Sequence, residues 1–299
     1  NESRIEIKRT KYKTWKFKLM EIFKILDNGS KQLKRKNILS HQLDTEILLS
    51  EALNISREKL LVNSNTKVSS KTIDYFNKLL NRRLNKEPVA TILNRKEFWS
   101  KNFSVNKNTL IPRPETELMV EKIVKIFHKK NISILDIGTG SGCILLSLLD
   151  EMNKSKGIGL DISQKAILIA KFNAKRHKLI DRAKFFRRDI SNFYNNKFDL
   201  IVSNPPYIMK RDLKNLDECI KKFEPKIALD GGNDGLDVIK KVIYKSKSIL
   251  KIKGTLAIEI GNEQFKKVST ILRKNKFNIK YIIKDYKENI RCIMSTLEH

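Results

Sequence analysis

The feature that most constrains this chain is an alternation that begins at Ile132. Short apolar runs at 132–137, 157–161, 183–186, 198–203 and 254–260 are separated by segments of helical periodicity at 141–150, 163–176, 234–250 and 263–274. Alternation of this kind predicts a doubly wound α/β fold, a mostly parallel sheet with helices on both faces. Residues 277–285 and 289–295 predict a closing hairpin, which brings the strands to seven. Ligands in such sheets sit beyond the carboxyl ends of the strands. The turns after each apolar run are therefore where the chemistry belongs.

The first of these turns is Asp136-Ile137-Gly138-Thr139-Gly140-Ser141-Gly142. Gly138 and Gly140 permit a tight turn with close backbone approach, and Gly142 lets the following helix pack near the strand. Asp161 ends the second strand 161 − 138 = 23 residues on, near the spacing of about 20 at which an acid meets a ribose. A dinucleotide site wants its third glycine one place later, where a pyrophosphate rests on the helix N-terminus. With Asp136 upstream, the turn here suits a ligand carrying an amino group and a carboxylate but no phosphate. S-adenosylmethionine has those features. Asp189, after the third strand, is placed to bond an adenine amino group with Ile190 beside the ring; a surface acid following Arg187-Arg188 is the competing reading.

The fourth strand runs into Ser203-Asn204-Pro205-Pro206-Tyr207. Two prolines cannot continue a strand, so the chain turns sharply after Asn204. An amide side chain, a backbone carbonyl and an aromatic ring then project together. The cluster suits a planar NH2 group: the Asn204 oxygen and the Pro205 carbonyl accept its two hydrogens while Tyr207 packs on its face. A plain proline-capped loop would carry the same residues.

Upstream, helical spacing marks 15–26, 40–53 and 69–84, split by polar stretches at Asn28-Gly29-Ser30 and Asn63-Ser64-Asn65, which predicts a small helical bundle. Val89–Leu93 and Phe103–Val105, flanking Asn94-Arg95-Lys96, predict a linking β-hairpin, and a helix follows Pro114. The expected division is 1–13 basic and poorly ordered, 14–87 helical, 88–112 hairpin, 113–296 catalytic and 297–299 an expression-vector remnant. Asn1 in place of a methionine points to a processed or trimmed start.

A net charge of +29 invites a nucleic-acid reading, but lysines outnumber arginines and are spread widely, which fits solvated faces better. No apolar run is long enough to span a bilayer. Cys143, Cys219 and Cys292 form no CxxC pair, which fits a reducing cytoplasm, and neither cysteines nor histidines have metal-ligand spacing.

These residues together resemble the release factor glutamine methyltransferases. The likeness rests on Leu43-Asp44-Thr45-Glu46, Arg82-Arg83, Glu87-Pro88-Val89-Ala90, Glu97-Phe98-Trp99, the block from Leu110 to Glu117, the Asp136 to Gly142 turn, Asp161, Asn204 to Tyr207, Glu224-Pro225 and Leu229 to Gly235. The family pattern usually has Tyr and Gly where Thr91 and Asn94 stand, and an aromatic near Ile190. The resemblance implies a Rossmann-like, S-adenosylmethionine-dependent methyltransferase with a helical substrate-recognition domain. It implies that Gly138 to Gly142 hold the methionine part of the cofactor and Asp161 the ribose. Asn204, Pro205, Pro206 and Tyr207 would bind the glutamine amide, with Asn204, Pro205 and Tyr207 catalytic. Arg113 and Glu115 to Glu117 would border the cofactor, couple the domains or cap a helix. The implied partners are class I peptide chain release factors, with no membrane, no stable nucleic-acid complex and a monomeric enzyme. An adenine or guanine N-methyltransferase acting on RNA or DNA is the alternative, and a non-catalytic binding module a more distant one.

Overall fold

The computed structural model describes residues 20–194 and 197–298. The basic segment 1–13, Trp15, Leu19 and His299 lie outside the described residues. The chain divides into two compact units, residues 1–89 and 90–299.

In the first unit, β1 (Met20–Glu21) leads into α1 (Ile22–Arg35), followed by α2 (His41–Leu53), α3 (Arg57–Val62), β2 (Lys67–Val68) and α4 (Ser70–Leu84). β1 and β2 pair antiparallel. Ile22, Ile25, Leu33, Leu48, Leu49, Phe76, Leu79 and Leu80 make the core, each a member of a helical stripe. The helix expected over 15–26 starts later, at Ile22, and runs to Arg35 straight through Asn28-Gly29-Ser30, where the sequence predicts a loop. Gly29 is a packing notch there: a Cβ on it would lie 2.8 Å from Thr45 Cγ2 and 3.1 Å from Phe76 Cζ. The residue that looks like a helix breaker is what lets three helices close up. α3, capped by Ser56 at Lys59 N, has no counterpart among the expected helices.

In the second unit, α5 (Val89–Ile92) begins at the unit boundary, and the hairpin consists of β3 (Arg95–Phe98) and β4 (Lys101–Ser104). The hairpin therefore falls later than the sequence predicts. Val89–Ile92 is a helical turn following Pro88, whose ring presets a helical φ. The reversal is at Trp99-Ser100, with φ of 51° and 54°, the two-residue turn whose twist suits a hairpin. Then come α6 (Pro114–Phe127), β5 (Ser133–Ile137), α7 (Cys143–Glu151), β6 (Lys156–Asp161), α8 (Gln164–Arg176), β7 (Ala183–Arg187) and β8 (Phe198–Ser203). A long connection holding α9 (Glu218–Phe223) leads to α10 (Asp237–Ile249), β9 (Leu250–Glu259), α11 (Phe265–Lys274), β10 (Phe277–Lys284) and β11 (Ile290–Leu297). β9 starts four residues before the expected Gly254, since Leu250 already pairs with Phe198.

The seven-stranded sheet has the order β10-β11-β9-β8-β5-β6-β7. The run from β9 to β7 is parallel, and β11 is antiparallel to both its neighbours. One face packs on α6, α7 and α8 through Met119, Ile123, Leu145, Leu148 and Ala170; the other packs on α10 and α11 through Ile239, Val242, Val268 and Leu272. Leu297, set apart in the sequence as part of a remnant, is the last residue of β11, buried and paired with Phe277, so it belongs to the sheet. The chain leaves β5 toward β6 and β7, then returns to add β8 on the other side of β5. Between β5 and β8 the winding reverses, which is where sheets of this kind open a crevice.

Candidate active site

The crevice is a cavity of about 610 Å³ at the carboxyl ends of β5, β6 and β8. It lies within the range of roughly 300–1,000 Å³ typical for cofactor-sized ligands. Gly138, Thr139, Gly140, Ser141, Asp161, Asp189, Ile190, Asn204 and Pro206 all line it. Gly142, Pro205 and Tyr207 are not among its lining residues.

The turn after β5 works as the glycine spacing requires. Gly138, Gly140 and Gly142 have φ of +74°, +55° and +81°, a region other residues enter only under strain. A Cβ on Gly138 would meet nothing within 4 Å, so the backbone there faces open cavity. Asp161 braces the turn: its Oδ2 accepts from Gly140 N at 3.0 Å and its Oδ1 from Ser163 N at 2.8 Å. A carboxylate offers about four acceptor positions, so both oxygens keep capacity for ribose hydroxyls.

Asp136 sits beneath the turn, fully buried, where its Oδ2 accepts from Thr139 Oγ1 at 2.6 Å and its Oδ1 has no partner. Burial pushes its carboxyl from 3.8 up to about 7; the Thr139 hydrogen bond opposes this and the nearby Asp161 charge adds to it. A buried acceptor without a donor is costly unless a ligand supplies one. Asp136 itself does not line the cavity, whereas Thr139, which donates to it, does. At the far end Asp189 accepts from Ser191 N at 2.8 Å, which with other hydrogen bonding holds its carboxyl below the usual range, and Ile190 presents a buried apolar side chain. An open glycine turn, a hydroxyl-binding acid and an apolar slot with an acceptor fit S-adenosylmethionine.

Across the crevice β8 delivers Asn204. Ser203 Oγ donates to Ile137 O at 2.8 Å and ties the two strand ends together. Asn204 Nδ2 donates to Thr116 Oγ1 at 3.4 Å, and Thr116 Oγ1 donates to Glu259 Oε2 at 2.6 Å. Burial raises the Glu259 carboxyl to about 7. Burial, aided by Glu259, raises the Tyr207 phenol to about 12. The backbone around Tyr207 is clamped: Gln264 Nε2 donates to Tyr207 O at 3.1 Å, Ile208 N to Leu229 O at 3.1 Å and Gly231 N to Ile208 O at 2.8 Å. The block from Leu229 to Gly235 thus acts as a splint for the turn after β8.

The block from Ile111 to Glu117 supplies another wall. Glu224, buried, accepts from Arg113 Nη2 at 2.7 Å and from Ile111 N at 3.2 Å. Arg113 occupies the cap position of α6 without making a side-chain cap, Pro114 takes the first turn, and Arg113 lines the cavity. Glu117 accepts from Trp99 N at 3.0 Å. Sequence reasoning missed Glu259 and Gln264. The signal for Glu259 was there: an acid set inside the apolar run Leu256-Ala257-Ile258-Glu259-Ile260 at a strand's carboxyl end. Among the described residues no cluster of His, Cys, Asp and Glu could hold a metal, and no helix is long and apolar enough to cross a membrane.

Residues 128–295 match a family described as a methyltransferase domain, and residues 24–93 match one described as the PrmC N-terminal domain. A bifunctional methyltransferase of Rickettsia prowazekii is 38% identical over 91% of this chain and 56% of its own length, so the chain spans about half of that relative. A release factor glutamine methyltransferase of Buchnera aphidicola is 39% identical over 91% of this chain and 98% of the relative. Among solved structures, a methyltransferase from Pyrococcus furiosus is similar with a TM-score of 0.53 at 16% identity, covering 75% of this chain and 100% of the other, a likeness of fold. Matched at this identity along nearly the whole of the Buchnera protein, the chain belongs to the release factor glutamine methyltransferase family.

Proposed function

We propose that this protein transfers a methyl group from S-adenosylmethionine to the side-chain amide nitrogen of the glutamine in the Gly-Gly-Gln loop of class I peptide chain release factors, and so modulates translation termination. The observation that carries the reading is that one cavity is lined both by the glycine turn with Asp161 and by Asn204. That shared lining supports a cofactor site and an amide-binding site facing each other across adjacent strands. We assign residues 14–87 to substrate recognition and 113–296 to catalysis; the likeness to the release factor glutamine methyltransferase of Buchnera aphidicola supports a protein substrate over a nucleobase. The reading includes a cytoplasmic monomer that forms no stable nucleic-acid complex, and the free thiols of Cys143, Cys219 and Cys292 suit that compartment.

When bound, S-adenosylmethionine supplies an electrophilic sulfonium methyl group. Asp136 and the Gly138 to Gly142 turn would hold the methionine part, Asp161 the ribose, and Asp189 with Ile190 the adenine. An amide nitrogen is a poor nucleophile because its lone pair is delocalised into the carbonyl, so orientation must do much of the work. Asn204 Oδ1 and the Pro205 carbonyl accept the two amide hydrogens, which fixes the nitrogen and directs its lone pair into the cavity. Tyr207 covers the amide plane. Its phenol, raised to about 12, stays neutral near pH 7 and is not a base. The surplus proton leaves to water after transfer. Positioning of this kind supplies up to roughly 7–11 kcal/mol of barrier reduction.

The test offers labelled S-adenosylmethionine with a purified class I release factor, with its loop variant carrying Gln→Ala, and with bulk RNA and DNA. Label on the intact factor alone is the expected result. Label on the Gln→Ala variant or on nucleic acid, with none on the intact factor, overturns the assignment.

A further inference from the structure

We propose that Thr116 and Glu259 are positioning residues that decide which end of the Asn204 side-chain amide faces the cavity. The consequence for turnover rests on the function proposed above; the geometry does not. The two ends of an asparagine amide have the same shape, so only the surrounding hydrogen bonds distinguish oxygen from nitrogen. Here the distinction is set by a relay of three residues from three elements: Thr116 in the first turns of α6, Glu259 at the end of β9, and Asn204 just beyond β8.

The relay has a direction. An ionised carboxylate can only accept, so the single hydrogen of the Thr116 hydroxyl goes to Glu259 Oε2, 2.6 Å away. The Thr116 oxygen is then left with lone pairs alone. It can only accept from Asn204, which must turn Nδ2 toward it, at 3.4 Å. Oδ1 is thereby freed to accept from a substrate NH2 group. Both Thr116 and Glu259 are buried, 2% and 4% exposed, so water does not compete for these bonds.

Protonation of Glu259 on Oε2 reverses the relay. The acid would donate to Thr116, whose own hydrogen would turn to Asn204 Oδ1, and Nδ2 would face the cavity. Two hydrogen-bond donors would then meet the donors of the target amide. Burial holds the Glu259 carboxyl near 7, so both forms are accessible. The groups that act on it are Thr116, Arg291 on β11 and the Asn204 side chain itself, which favour the ionised form, and Glu115 on α6, which opposes it; the Asn204 contribution turns Nδ2 the same way as the relay does. Tyr207 and the thiols of Cys143 and Cys292 feel its charge and are held neutral. Arg291 is itself shared with Asp285, whose Oδ2 accepts from its Nε at 2.7 Å.

The experiment compares wild type, Thr116→Val, Thr116→Ser and Glu259→Gln, each first shown to melt cooperatively and to bind S-adenosylmethionine. In side-chain 15N spectra the Asn204 Nδ2 hydrogens are expected to exchange slowly with solvent in wild type at about pH 8, faster in Thr116→Val, and slowly again in Thr116→Ser. With release factor as substrate, Thr116→Val lowers kcat roughly tenfold to a hundredfold with little change in KM, and Thr116→Ser restores most of it. Wild-type kcat rises with pH through about 7, and Glu259→Gln removes that limb. Unchanged Asn204 exchange in Thr116→Val, or an unchanged kcat with methylation intact, overturns the proposal. Wild type that shows the expected exchange pattern but leaves the release factor unlabelled supports the relay and sinks the function instead.

Discussion

Asp44 in the helical unit and Asp136 and Glu259 in the sheet unit are all buried carboxylates, and they are satisfied in opposite ways, although the sheet unit also pairs its buried Glu224 with Arg113. In the helical unit, Asp44 Oδ2 takes Arg83 Nε at 2.6 Å and Ser40 Oγ at 2.8 Å, with the side chains of Arg83 and Asp44 only 12% and 9% exposed. In the sheet unit, Asp136 and Glu259 are buried as deeply, yet among the described residues neither has an ion-pair partner, and each meets a threonine hydroxyl instead. An acid neutralised by its own fold has finished its work. An acid buried without a cation is costly in the free protein, and a ligand or a polar relay must offset that cost. By this contrast Leu43 to Glu46 and Arg82-Arg83 are architecture, whereas Asp136 and Asn204 have bonding capacity left over for chemistry.

The contrast breaks most visibly at Asn204. Asn204→Ala removes the acceptor but leaves the glycine turn and Asp161 intact. Methyl transfer should fall at least about a hundredfold, the cost of losing orientation at a reacting centre. The cofactor Kd, measured by calorimetry, should stay within a few-fold of wild type. A variant that methylates near the wild-type rate would remove Asn204 from the mechanism.

On the other side of the comparison stands Arg83→Ala, which leaves Asp44 buried and uncompensated. Breaking such a pair costs roughly 3–5 kcal/mol of stability. Denaturant unfolding should show that loss for the helical unit, with S-adenosylmethionine affinity unchanged. An equal loss of cofactor affinity would mean that Arg83 serves the site as well as the fold.

How much of this was readable in advance follows the same division. The strands, their parallel order and the edge that carries the site follow from period and spacing, because a buried parallel strand has nowhere to put a polar residue. The glycine turn, Asp161 and Asn204 were legible because each breaks that apolar pattern at a strand end. Glu259 broke it too and was passed over, since its meaning depends on Thr116, which is 143 residues away in sequence. The hairpin is displaced for a local reason. Val89–Ile92 is apolar enough for a strand, but Pro88 starts a helical turn and the pairing falls at Arg95–Phe98. Gly29 misled because a glycine that lets helices close up looks, in a sequence, like one that ends them.

Asp136 turns the comparison into a pH experiment with two opposite signs. Its carboxyl is raised from 3.8 to about 7, so the folded apo protein holds a proton that the unfolded chain releases. The free protein should therefore lose stability as pH climbs through that window. Cofactor binding should move the other way, because only the ionised acid pairs with an ammonium group. Below about pH 7 the affinity should weaken by up to about tenfold per pH unit. Asp136→Asn should flatten both slopes. Parallel slopes in the two measurements would mean that a different group pairs with the amino end.

The smallest effects come from placing one methyl group in each unit. Gly29 has an ordinary helical backbone and no room, since a Cβ there would stand 2.8 Å from Thr45 Cγ2; Gly138 has room, with nothing within 4 Å, and a φ of +74°. Gly29→Ala gains about 0.8–1 kcal/mol of helix propensity but incurs overpacking of roughly 1–3 kcal/mol. The net loss should be small, about 0–2 kcal/mol, and cofactor binding should not notice it. Gly138→Ala incurs a left-handed backbone strain of roughly 1–2 kcal/mol, a similar destabilisation. Its methyl, however, lies in the cavity where the methionine part of the cofactor would sit, so affinity should fall as well. Two alanines of equal cost to the fold should thus separate cleanly in a titration with S-adenosylmethionine. If they do not, the open space at Gly138 is a void of the turn, and the cofactor lies elsewhere in the crevice.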